Sequence, residues 1–482
     1  MACFNAFWRL GRADWKVDES LDGAYAWEAV KHGNWSLEDG HPVFVRWFLG
    51  AGQLAFGQNR LGIRVAPALA SVAAVALLYV VGRALVSWRV GLVAAALWAV
   101  LPRALVLGHE VVGPVRGDRY GYLEPLMVVA LLGATLTGWR WAQRGAWRHA
   151  VGTGVLVGLA VAFKPTAVVV LLPISVAGLL RGRPVRDVLP QIVAMGAVTV
   201  VVLVVTYLPL GGDAIGHLRE VFRYQIDHSR GGHVLVVDGK ATTSQPHWDH
   251  LVYQWRGMGP LACVGLLIGL VGAWVDRSRF ATRYVAGIWA TLLGYHLISP
   301  VALPHYYLLW APFSVLLAAI GLDRLLRDAP ATVAGHEPRT RRRRPRDAGL
   351  SATRSALTPL RVLGLVGVGL LASAGLIATV QIARLDQGDY GGMVDELAHR
   401  RVTATAVYYQ GEAVDRYFPH AVSGQIGFSD PGAPIDVVVL DPRDVPMLGA
   451  GSADEVRQRA VALGLTSHRI GRLEFWYRDP PH

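Results

Sequence analysis

Two adjacent carboxylates, Asp18 and Glu19, and a few cations, Arg116, Arg119 and Lys164, are the residues best suited to chemistry on a charged substrate. A carboxylate just outside an apolar segment serves as a general base for a hydroxyl nucleophile. Arginine and lysine are the natural partners of phosphate oxygens. Arg116 and Arg119 precede Tyr122-Leu123-Glu124-Pro125 at the head of an apolar run, and His305-Tyr306-Tyr307 stand at the head of another. Lys164 lies beside Pro165 inside a long apolar stretch, and the other lysines, Lys16, Lys31 and Lys240, all fall in polar segments. Each feature has a plainer reading: a solvated acidic pair in a loop, and a lysine that snorkels to lipid headgroups. Charges at membrane depth are costly unless paired or used.

These residues sit in a chain whose main solvent is lipid. Hydrophobic residues make up 53% of the 482 and charged residues only 17%, against roughly 25% charged in soluble proteins. Disordered, fibrous and wholly soluble classes are excluded. The net charge of +12 falls between apolar runs, where the positive-inside rule accounts for it, and gives no nucleic-acid footprint. Cys3 and Cys263 are too few for a disulfide framework or a cysteine metal site. Spans are expected near 62–86, 90–108, 121–139, 188–210, 258–275, 284–302, 307–326 and 360–383. The stretch 150–180 has basic residues on both flanks, Arg140 to Arg148 and Arg181 to Arg186, so it should enter and return as two short helices turning at Lys164-Pro165. Each arm would be about 21 Å long.

The expected fold class is a polytopic α-helical membrane protein. It would have about ten spanning helices as recorded, or about eleven with a first span missing from the recorded start, and a small C-terminal α/β domain. The expected divisions are an outer first loop, 1–61, with the acidic pair and an amphipathic helix near 43–56; a transmembrane core, 62–326, with an outer loop at 211–257; a basic cytoplasmic linker, 327–359, containing Arg341 to Arg344; a last span, 360–384; and an extracytoplasmic domain, 385–482. In that domain β-rich runs at 402–409, 435–440 and 474–477 alternate with helical pieces at 393–401 and 453–463. Every basic cluster then lies on one face. The acidic pair, the 109–120 segment, the Lys164 turn, the 211–257 loop and His305 share the other.

Taken together, Val17-Asp18-Glu19 with Tyr25, His41-Pro42, Phe56-Gly57 with Arg64, Arg119 to Pro125, Gly158 to Lys164 and His305 to Pro312 resemble the polyprenyl (dolichyl)-phosphate-mannose-dependent protein mannosyltransferase family. That family belongs to the C-type glycosyltransferase superfamily, which also includes the lipid A aminoarabinose transferases. The resemblance covers most of residues 15–330. It implies the C-type glycosyltransferase fold and a multi-pass protein of the cell membrane with its active site on the extracytoplasmic side. It further implies an inverting enzyme that moves a mannose-like sugar from a polyprenyl-phosphate donor to an acceptor hydroxyl, protein Ser/Thr or, as an alternative, a cell-wall glycolipid or polysaccharide.

Within that resemblance Asp18 is the catalytic base and Glu19 supports it or orients the acceptor. Arg119, Lys164 and His305 hold the donor phosphate, and Tyr25, His41, Trp248 and Tyr306 are substrate-loop candidates. No cofactor is required, and a divalent cation has no support in the sequence. His247-Trp248-Asp249-His250 has metal-like spacing on a helix but reads more simply as a solvated, acceptor-facing loop. Trp248, Tyr253 and Trp255 suit stacking on a sugar or an interfacial aromatic belt. A secondary transporter or flippase is the rival class; it would place its ionisable groups at the bilayer midplane between repeated halves.

Overall fold

A computed structural model describes residues 1–35, 42–107, 110–112, 116–232, 235–237, 240–243, 246–327, 358–411, 414–423, 434–441 and 453–479. His41, His109 and the Arg341 to Arg344 run lie outside these residues. The N-terminal part comprises α1 (Ala2–Phe7), α2 (Val17–His32) and α3 (Phe44–Phe56). On α3, Val45, Arg46, Leu49 and Gln53 are buried while Trp47, Phe48, Leu54 and Phe56 face outward, so both faces are largely apolar. The bundle follows: α4 (Arg60–Leu85), α5 (Trp88–Val100), the hairpin β1 (Leu105–Leu107) and β2 (Glu110–Val112), α6 (Glu124–Arg144), α7 (Trp147–Phe163), α8 (Leu171–Leu179) and α9 (Val185–Tyr207). It continues with α10 (Ala214–Gly231), the hairpin β3 (Leu235–Val237) and β4 (Lys240–Thr242), α11 (Asp249–Val275), α12 (Phe280–Ile298), α13 (Ala311–Leu326) and α14 (Pro359–Ala383).

Among the described residues four helical stretches are long and apolar enough to cross a membrane: Arg60–Leu85, Val185–His228, Asp249–Val275 and Pro359–Ala383. Shorter apolar helices, Trp88–Val100, Trp147–Phe163 and Pro165–Leu179, pack among them. The expected span 90–108 is cut short. Its helix ends at Val100, because Pro102 cannot continue it and Arg103 turns inward to be buried. At the stretch 150–180, α7 ends at Phe163, Lys164 is extended, and a 3-10 turn, Pro165–Val170, leads into α8. A residue before proline is driven out of the helical region, which explains the break.

Lipid offers no hydrophobic force between helices, so close packing and interhelical hydrogen bonds hold them. Glycines make the approach. A Cβ on Gly321 of α13 would lie 1.8 Å from the Gly269 carbonyl of α11, and one on Gly154 of α7 would lie 2.7 Å from the Met195 carbonyl of α9. Polar side chains add to this: Thr199 donates to the Gly154 carbonyl (3.1 Å), Tyr284 to the Thr135 carbonyl (2.8 Å) and Trp289 to Ser314 (2.8 Å).

The C-terminal part contains α15 (Asp389–His399), β5 (Ala406–Gln410), β6 (Val422–Ser423), β7 (Val437–Leu440), α16 (Ala453–Ala462), β8 (Thr466–Ile470) and β9 (Leu473–Tyr477). The strands form one sheet in the order β6-β5-β7-β9-β8, parallel across β6-β5-β7 and antiparallel across β7-β9-β8. Alternation on the strands divides the core in two. Val437, Val439 and Phe475 pack with Tyr390 and Met393 of α15, whereas Val438, Leu440 and Trp476 pack with Val456 and Ala460 of α16. This domain touches the N-terminal part at Asp14, whose carboxylate accepts from the Gly391 amide (3.2 Å) and the Tyr417 hydroxyl (3.1 Å).

The α11–α13 crossing gives a direct test. Gly321→Ala is expected to cost about 1–3 kcal/mol through overpacking and to lower the melting temperature of the detergent-solubilised protein. Gly294→Ala, at a position with nothing within 4 Å of the new Cβ, is the control and should melt as wild type. Equal melting of both variants would refute the close crossing.

Candidate active site

The acidic pair opens α2 rather than lying in a loop. Lys16 is extended ahead of the helix, and Asp18 and Glu19 fall in its first turn, where the helix dipole favours negative charge. The two carboxylates then part company. Glu19 is fully buried: Oε1 accepts from Arg64 Nε (2.6 Å) and the Gly121 amide (2.9 Å), and Oε2 from Arg64 Nη2 (2.7 Å) and the Lys16 amide (3.3 Å). Arg64 in turn donates to the carbonyls of Leu10 (3.1 Å), Ala13 (2.9 Å) and Asp14 (2.6 Å) and lies over the Tyr120 ring. Only glycine fits at position 121, since a Cβ there would meet Glu19 Cγ at 2.9 Å. Both Glu19 oxygens are thus committed to hydrogen bonds within the fold. Asp18 is half-buried, and with Asp22 one turn further on it acts electrostatically on His305.

Lys164, Glu124, His305 and Tyr306 form one cluster. The Lys164 ammonium is 2.8 Å from Glu124 Oε1 and 3.4 Å from the centre of the Tyr306 ring, and His305 Nε2 is 3.4 Å from the same Glu124 oxygen. Glu124 begins α6, and its Oε2 is buried without a hydrogen-bond partner. His305 stacks on Tyr122, their rings 4.9 Å apart. Burial pushes the His305 imidazole below its ordinary range despite Glu124, and Lys164 adds to the shift against the opposing fields of Asp18 and Asp22. A cavity of about 150 Å³ adjoins the cluster, bordered by Lys164, Thr166, His228, His296, Ser299 and Tyr306.

Arg119 belongs to another neighbourhood. It donates to the Trp8 carbonyl, its Nη1 is buried with no hydrogen-bond partner, and burial with the nearby Arg116 and Arg64 pushes its pKa down to about 10. Beside it Asp118 is held by Arg103 Nη2 (2.8 Å), Arg116 Nε (2.8 Å) and the Ser71 hydroxyl (2.5 Å). Burial alone would raise the Asp118 carboxyl, but the two guanidiniums hold it well below the usual carboxylate range. Arg116 is therefore consumed in holding the loop.

Of the substrate-loop candidates, Tyr306 stands in the Lys164 cluster. Tyr25 lies beneath the Arg46 guanidinium, 5.6 Å from ring centre, and Trp248 is exposed. His247 is exposed near the Ser299 carbonyl, whereas His250 is buried on α11 against His296 and Tyr306. Among the described residues no three His, Cys, Asp or Glu side chains converge as a metal site. Reasoning from sequence gave no role to Glu124, Arg64 or Asp118. A signal existed in each case, because an ionisable residue at the edge of an apolar run needs a partner of opposite charge.

Residues 40–208 match the family described as dolichyl-phosphate-mannose-protein mannosyltransferase. Curated relatives include the undecaprenyl phosphate-alpha-4-amino-4-deoxy-L-arabinose arabinosyl transferases of Pseudomonas paraeruginosa, 29% identical over 282 residues, and Pseudomonas aeruginosa, 28% identical over 282 residues. Each match covers 55% of this chain and 46% of the relative, so the chain spans about half the length of the curated relatives it matches. Among solved structures, ArnT from Cupriavidus metallidurans bound to undecaprenyl phosphate superposes with a TM-score of 0.60 at 15% identity, covering 98% of this chain and 96% of that one. The apo oligosaccharyltransferase of Archaeoglobus fulgidus gives a TM-score of 0.53 at 13% identity, covering 91% of this chain and 67% of that one. The resemblance read from the sequence is thereby upheld: the chain has the fold of the C-type glycosyltransferase superfamily and is similar to its polyprenyl-phosphate-dependent mannosyltransferase and aminoarabinose transferase members.

Proposed function

We propose that this protein is an inverting glycosyltransferase that moves a sugar from a polyprenyl-phosphate donor to an acceptor hydroxyl on the extracytoplasmic side of the membrane. The observation that carries this reading is the division of labour at α2. Glu19 is locked by Arg64 and Gly121 while its neighbour Asp18 stays half-buried and acts on His305, a member of the Lys164 cluster. Asp18 takes the proton from the acceptor hydroxyl as its oxygen attacks the anomeric carbon. The bond from that carbon to the phosphate oxygen breaks, and polyprenyl phosphate leaves with the electron pair. Lys164, with His305, stabilises the departing phosphate. Base and cation on opposite sides of the anomeric carbon give a single displacement with inversion, without a covalent glycosyl-enzyme. Arg119, with a buried donor still free, is the further phosphate contact in this reading. Glu19 is a positioning residue.

The cavity beside Lys164 suits the donor headgroup, and the break at Lys164-Pro165 leaves the lipid tail in the bilayer. For the sugar, the description of the matched family favours a mannose-like donor and a protein acceptor, which in this reading offers a Ser/Thr hydroxyl. The names of the curated relatives favour a second reading, an aminopentose donor, with a glycolipid or cell-wall polysaccharide as acceptor. Incubating membranes with radiolabelled polyprenyl-phosphate mannose or aminoarabinose, and identifying which macromolecule gains label, separates the two.

Asp18→Asn is expected to leave a folded protein and to slow transfer by about 10²–10⁴-fold, and turnover near wild type in that assay would remove Asp18 as the base. Lys164→Gln should raise the apparent KM for the lipid donor. Because that change also strands Glu124, the double variant Lys164→Gln/Glu124→Gln is measured beside it; wild-type donor affinity in the double variant would show that Lys164 serves only its ion pair. Removing Arg64 leaves a buried, unpaired carboxylate, so Arg64→Leu should destabilise by about 3–5 kcal/mol. Arg64→Leu/Glu19→Leu should regain much of the melting temperature. If the double variant melts no higher than Arg64→Leu alone, the ion pair is not the source of the loss.

A further inference from the structure

At the end of the bundle away from Lys164 lies a second and larger cavity, about 600 Å³, between the C-terminal ends of α4 and α6, the residue after the α8 turn and the first turn of α12. Arg140 is 16 residues beyond Glu124 on the same helix, or about 24 Å along it, so this cavity is remote from the Lys164 cluster. One wall is apolar, formed by Leu85, Trp139 and Phe280, and the other carries Arg140, Arg144, Arg181 and Arg279. We propose that this cavity binds the phosphate headgroup of an anionic phospholipid.

The cations are available for it. Arg279 is 3.4 Å from Asp276, but among the described residues Arg140, Arg144 and Arg181 have no carboxylate within ion-pair distance. Four arginines against one acid leave three positive charges around one opening. Nearby Arg183 shows the contrast, since its guanidinium donates to Gln191 (2.9 Å) and packs against Gly145, so it is used by the fold. Arg181 is already oriented, its guanidinium stacked 4.3 Å from the centre of the Phe280 ring. Such a contact fixes the planar group while its N–H edge stays free for oxygen acceptors.

The apolar wall selects a lipid over a soluble anion. Leu180, next to Arg181, is 67% exposed, and Leu172 and Val176 on α8 also face outward. Acyl chains can therefore lie along α8 while the phosphate meets the arginines. Basic pockets between membrane helices bind headgroups in this way.

The test uses the full chain in neutral detergent, with cardiolipin, phosphatidylcholine and soluble glycerol phosphate as probes, read by native mass spectrometry and melting temperature. Cardiolipin should be retained and raise the melting temperature, and the other two should not. Arg140→Gln/Arg144→Gln/Arg181→Gln should weaken cardiolipin retention by about a hundredfold, from roughly a fivefold effect per arginine. Arg219→Gln/Arg223→Gln/Arg230→Gln removes the same charge from α10 and should leave retention unchanged. Should the pocket triple variant not give a monodisperse protein, Arg181→Gln alone should lose about fivefold. Equal retention of phosphatidylcholine, equal protection by glycerol phosphate, an equal loss in the α10 variant, or full retention in the pocket variants would each overturn the proposal.

Discussion

The buried ion pair between Glu19 and Arg64 is the interaction on which the site depends. It ties the first turn of α2 to α4, and through the Gly121 amide to the turn that leads into α6. Arg64 extends the tie to the carbonyls of Leu10, Ala13 and Asp14, so the segment before α2 is fixed by the same guanidinium. A charge pair in so dry a place is tolerated because its strong lone pairs and protons are met by hydrogen bonds. What the pair secures is position: the residue beside Glu19 cannot drift relative to the heads of α4 and α6. Asp14 passes the constraint to the C-terminal domain through Gly391 and Tyr417.

The second constraint is the break at Lys164. A continuous helix would carry this lysine past the head of α6; the extended residue before Pro165 instead leaves it beside Glu124 and Tyr306. Pairing lowers the cost of keeping the charge buried, and the face of the Tyr306 ring adds a second contact. The Asp118 network does similar work for the loop between α5 and α6, where Arg103 and Arg116 share one carboxylate. Two guanidiniums on one acid leave excess positive charge around Arg119.

The bundle therefore has two unlike ends. At one, most of the cations are paired with carboxylates and buried, with Asp18 beside them. At the other, arginines outnumber acids and face outward around an apolar opening. The difference arises from what each end meets. Buried charges must be neutralised by partners within the protein, whereas charges at a headgroup surface can be met by lipid phosphate and water.

Much of this was legible in the chain. Apolar runs marked α4, α9, α11 and α14, the Lys164-Pro165 step marked the break between α7 and α8, and β-rich composition marked β5, β7 and β9, because each depends on local composition or on a single residue's backbone preference. The short α5 was misjudged as a full span, although Pro102 was in view, since nothing local says that Arg103 turns inward. The edge strand β8, rich in polar residues, was missed because its face is largely solvated. Residue type and sidedness also singled out Asp18, Glu19, Arg119, Lys164 and His305. Only the tertiary structure decided which carboxylate is locked and which stays accessible, that Lys164 meets Glu124 forty residues away, and that Arg119 donates to the Trp8 carbonyl. The reason is physical: a charge's role in a low-dielectric interior is set by its nearest opposite charge and its hydrogen bonds. Those neighbours are brought together by helix packing rather than by sequence spacing.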